Sequence, residues 1–160
     1  MEIDFLKLDY YSDFLGEKEI RFYTNSKETK FKRNIEKFAE NQFHEIQLIQ
    51  GENSIYFFSL WEGYFDSLIR ELIDNKKEYR ELPVFIINWN ECKGWRDLDS
   101  IEDVISDDEL EWLLTIIPII NDYHKKESKN SVWDYNCIND LLIFLNFVKN
   151  NKWELRISEE

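Results

Sequence analysis

Between residues 59 and 77 the apolar side chains recur with the steps of a helix: Leu60, Trp61, Tyr64, Phe65, Leu68, Ile69, Leu72 and Ile73. A repeat of about 3.6 residues puts all eight on one stripe. Glu62, Asp66, Arg70, Glu71 and Asp74 fall on the other faces, and Asn75 followed by two lysines suits a C-terminus. A second helix is predicted from Ser106, because Ser106-Asp107-Asp108-Glu109 has capping-box spacing. Its two aspartates favour the positive end of the helix dipole. Leu110, Leu113, Leu114, Ile117, Ile120 and Tyr123 form its apolar stripe, and Pro118 predicts a kink near Thr115. A third helix is predicted from Asp134 to Asn150, with Ile138, Leu141, Leu142, Leu145 and Val148 inward. It is apolar around much of its circumference, which predicts a central position. A weaker helical pattern covers residues 28–44, through Phe31, Ile35, Phe38 and Ala39.

Strand signals are fewer. Val84-Phe85-Ile86-Ile87 follows Pro83 and reads as a buried strand. Ile20-Arg21-Phe22-Tyr23 and Trp153-Glu154-Leu155-Arg156-Ile157 alternate as half-buried strands do. Residues 3–8 and 46–50 or 54–58 are further strand candidates. With only 4 Gly and 2 Pro, the chain lacks the turn residues of an all-β protein and the glycine-rich turn of a dinucleotide-binding fold. The predicted class is therefore α+β, with several helices packed on one small mixed or antiparallel sheet. No repeat, linker or composition shift divides the chain, so residues 1–160 are expected to form one domain.

Composition narrows the setting. A hydrophobic fraction of 43% with 16% aromatics describes a folded chain, not an acidic disordered one. The longest near-apolar stretch, Trp112 to Ile120, contains Thr115 and Pro118 and is about half the length of a spanning helix. Cys92 and Cys137 form no CxxC pair and no zinc spacing, which suits two reduced thiols. Glu2 and Asp4 stand where a signal peptide carries basic residues, and no apolar core follows them. A cytoplasmic location is expected. Ile occurs nineteen times and Ala once, a bias towards AT-rich codons that suits a bacterial source.

No motif names a chemistry. His44 and His124 are the only histidines, and neither belongs to an HExxH or Glu-x-x-His pattern. No phosphate loop and no nucleophile elbow is present, and Asp97-Leu98-Asp99 fails as a calcium loop because Ile101 stands at a ligand position. Cys92, in the polar stretch Asn90-Glu91-Cys92-Lys93-Gly94, is in a more reactive setting than Cys137, which falls inside the third helix. No catalytic residue, metal or cofactor is assigned. Lys27, Lys30, Lys32, Arg33 and Lys37 cluster on the weak helix and read as its solvated face.

Charge is the one departure from the ordinary. Twenty bases against 33 acids give a net charge of −13. Such an excess repels nucleic acid and anionic membranes and favours basic partners. Eight acids and no base fall between Asp97 and Glu111, interleaved with Ile101, Val104, Ile105 and Leu110 and flanked by Trp95 and Trp112. The acids also suit a solvated face and helix capping. As a docking surface, the segment offers Trp95, Asp97, Asp99, Glu102, Asp103, Asp107, Asp108 and Glu111 to a basic protein. By profile alone, small acidic single-domain chains without an active site are typical of bacterial immunity proteins and antitoxins, whose nuclease toxins have basic grooves. The leading expectation is a non-catalytic inhibitor of that kind. A regulatory or structural module, dimeric or not, and a small enzyme using carboxylate or cysteine chemistry are the alternatives.

Overall fold

The computed structural model describes residues 9–25, 35–39, 42–45, 55–75, 78–96, 102–127 and 132–159. Its strands are β1 (Asp9–Tyr10), β2 (Glu19–Asn25), β3 (Ile35–Ala39), β4 (Gln42–Glu45), β5 (Ile55–Trp61), β6 (Glu102–Ile105) and β7 (Leu155–Glu159). The α-helices are α1 (Glu62–Asp74), α2 (Val84–Glu91), α3 (Asp107–Glu127) and α4 (Tyr135–Asn150). Five strands form one sheet in the order β1-β5-β2-β7-β6, and β3 pairs with β4 as a separate hairpin. Only the β1–β5 pair is parallel, so the sheet is mixed and the class is α+β.

Register explains the packing. Ile20 lies opposite Leu60, Phe22 opposite both Phe58 and Ile157, and Ile105 opposite Leu155. All seven are buried on one face of the sheet. Phe65 of α1 meets Phe22 there, and Phe144 of α4 meets Phe58, with ring centroids 6.0 Å apart in each pair. α4 also packs against α3, so it lies between sheet and helix, which is why its circumference is so apolar. Phe65 stands edge-on to Trp89 and to Trp95, and those two indoles stack at 5.2 Å. Much of the aromatic surplus is therefore core, where paired rings add stabilisation beyond the area they bury.

Four local expectations are corrected. Val84–Ile87 is the start of a helix, not a strand. Phe85, Ile86 and Trp89 are buried at helical spacing, and the Ile87 amide donates to the Pro83 carbonyl at 3.2 Å. A four-residue apolar run carries no period of its own, so the residues after it decide. The helix expected over 28–44 is, where described, the β3–β4 hairpin; residues 28–34, 40 and 41 lie outside the described residues, as do 3–8 and 46–50. The first helix begins at Glu62 rather than near residue 59, because Leu60 and Trp61 belong to β5. Leu60 satisfies the two-residue period of the strand and the longer period of the helix at once, which hid the boundary. The strand at 54–58 is β5, and the strand expected from Trp153 begins at Leu155.

The other two long helices match their spacing. Asp134 caps α4 by accepting from the Cys137 amide at 2.8 Å. The capping box at α3 is formed in both directions. The Glu109 amide donates to Ser106 Oγ at 3.2 Å, and the Ser106 amide donates to Glu109 Oε1 at 3.1 Å. α3 continues through Pro118 to Glu127, and Thr115 Oγ1 donates to the Glu111 carbonyl at 2.9 Å.

Glu109 does more than its motif requires. Its other oxygen, Oε2, accepts from the Val84 amide at 2.9 Å. One carboxylate thus serves the N-termini of α2 and α3 and places a negative charge on both dipoles. Glu109→Ala is expected to destabilise the fold by about 2 kcal/mol, against about 1 for Ser106→Ala. Urea unfolding followed by circular dichroism measures both, and equal losses would show that the α2 branch contributes nothing.

Candidate functional site

From Glu102 onward the acidic segment forms the edge strand β6 and then enters α3. Ile105 points into the core, so Asp103 shares its face of the sheet and Val104 takes the opposite one. Asp103 Oδ2 accepts from Asn88 Nδ2 at 2.7 Å, which ties β6 to α2. Gly94 makes that tie fit: at φ +58 a Cβ would stand 2.3 Å from Asn88 Nδ2. Glu111 Oε1 lies 2.5 Å from Lys149 Nζ of α4. Asp107 and Asp108, in the first turn of α3, are exposed. Val84, at the start of α2, and Val104, on the opposite face of β6 from Asp103, are 59% and 49% exposed.

The proposed docking residues therefore separate. Asp103, Asp107, Asp108 and Glu111 come to one corner of the molecule, with Asp103 and Glu111 already engaged within the chain. Asp97 and Asp99 lie outside the described residues, and Glu102 is placed only as the first residue of β6. Trp95 is corrected: it is a core residue. It is 2% exposed, stacks on Trp89, and donates from Nε1 to the Phe85 carbonyl at 2.9 Å. Trp112 is half-buried. Tyr123, expected inward on α3, is 51% exposed, whereas His124 beside it is buried.

Both thiols are free. Cys92 is exposed and closes α2 in the left-handed conformation, at φ 55. Arg96 Nη1 lies 3.5 Å from its sulfur. Cys137 is buried, and burial first, then the charges of Asp134 and Asp140, push its thiol well above the ordinary value. His124 Nε2 is 2.9 Å from Glu71 Oε1, and its ring stacks on Trp133, whose Nε1 donates to Asn121 Oδ1 at 3.0 Å. This group joins α1, α3 and the segment leading into α4, a structural use of the histidine. Among the described residues no three His, Cys, Asp or Glu side chains form a group able to hold a metal. None of the described helices is long and apolar enough to cross a membrane.

A second titratable cluster surrounds the N-terminus of α4, and nothing in the sequence pattern marked it. The Tyr10 hydroxyl donates to Asp140 across 130 residues of chain. Burial, then this bond and the Asp140 charge, raise the Tyr10 phenol. Tyr64 is raised too, by burial and then by Asp134 and Cys137. At neutral pH these phenols are hydrogen-bond donors, and the buried thiol of Cys137 stays protonated. The effect of the cluster is to hold β1 and α1 against α4. Neither family models, nor curated proteins, nor solved structures give a match to this chain.

The cluster dictates a pH response. Tyr10, Tyr64 and Cys137 all keep their protons more tightly folded than unfolded. Their contribution is complete below the ordinary thiol value of 9.0 and phenol value of 10.0, and is lost as pH rises through and above them. The melting temperature is expected to stay level up to the thiol value and to fall beyond it. Tyr10→Phe should flatten that fall while lowering stability at neutral pH by about 1 kcal/mol. A wild-type alkaline slope unchanged in Tyr10→Phe would rule out the assignment.

Proposed function

We propose that this chain is a non-catalytic acidic binding protein that docks on a basic protein and neutralises it, in the manner of a bacterial immunity protein or antitoxin acting on a nuclease-type toxin. The observation that carries the reading is the acidic corner where β6 meets α3. Eight of the thirteen excess negative charges fall within fifteen consecutive residues, and Asp107 and Asp108 stand exposed at the start of a rigid helix.

The physical case rests on the cost of such crowding. Like charges held together destabilise a compact state, and a partner of opposite sign removes that cost. Some of these acids have internal uses. Glu109 caps two helices, Asp103 holds Asn88, and Glu111 meets Lys149. Asp107 favours the α3 dipole, and so does Asp108, but both carboxylates remain open to solvent. An acidic surface can fill a groove shaped for phosphate, and complementary charge accelerates the encounter.

The test is a pull-down with tagged protein from the cells that make it, at low and at high salt. A single basic protein retained at low salt and weakened by salt is the expected result. Asp107→Lys combined with Asp108→Lys should reduce retention by roughly tenfold or more, chiefly through slower association. If the retained protein degrades nucleic acid, stoichiometric wild-type chain should block that activity and the double variant should not. Retention indifferent to both salt and charge reversal would overturn the proposal.

A further inference from the structure

We draw no further inference here: the strongest candidate, the exposed Cys92 thiol at the C-terminal end of α2, is a lone cysteine whose neighbour Arg96 is already held by the Trp89 carbonyl and by Glu159, and no second feature among the described residues points to a ligand there.

Discussion

The carboxylate of Glu109 is the joint on which this arrangement turns. Each helix N-terminus presents amides with no partner inside the helix. α2 and α3 begin side by side, and one side chain accepts from the Val84 amide and the Ser106 amide together. That shared acceptor fixes the separation of the two helices and the exit of β6 from the sheet. Around it the Asn88–Asp103 bond and the tight fit at Gly94 hold α2 on the strand. The remaining acids of the corner inherit their positions from this joint. A corner tied by these bonds is held from within the chain.

Among the described acids of the segment there is a division of labour. The half-buried Asp103 and Glu109 are hydrogen-bonded inside the chain, the exposed Asp107 and Asp108 lie at a helix terminus where the dipole stabilises them, and the exposed Glu111 meets Lys149. Acidity in the segment is thus partly architectural. The exposed Asp107 and Asp108 take part in that architecture through the helix dipole alone.

Legibility followed the length of the pattern. The long helices α3 and α4 could be read because their apolar stripes extend over several turns and because Ser106–Glu109 is a capping box. The short α2 could not, since a four-residue apolar run carries no period of its own and the acceptor at its N-terminus, Glu109, lies 25 positions away. β6 was missed because a four-residue edge strand rich in acids resembles a polar loop. Leu60 belongs to two periodicities, and only its pairing with Ile20 decides between them. Of the candidate site, the exposed aspartates were legible as charge. Trp95 was misjudged because a tryptophan beside acids has the same sequence signature whether it stacks on Trp89 or faces solvent. The Tyr10–Asp140 contact joins residues 130 positions apart and has no local signature at all.

The place of β7 has a consequence for how the chain is made. β7 lies between β2 and β6, and among the described residues β6 has no other strand neighbour in the sheet. During synthesis the acidic strand emerges well before the partner that holds it. Residue 159 must be made before the sheet can close, so β2 and β6 each keep one edge unpaired until then. Closure over such sequence distances is slow, and open edges invite association with other chains. The negative charge around β6 repels neighbouring nascent copies in that interval. The same residues that shape the finished surface thereby protect the unfinished one.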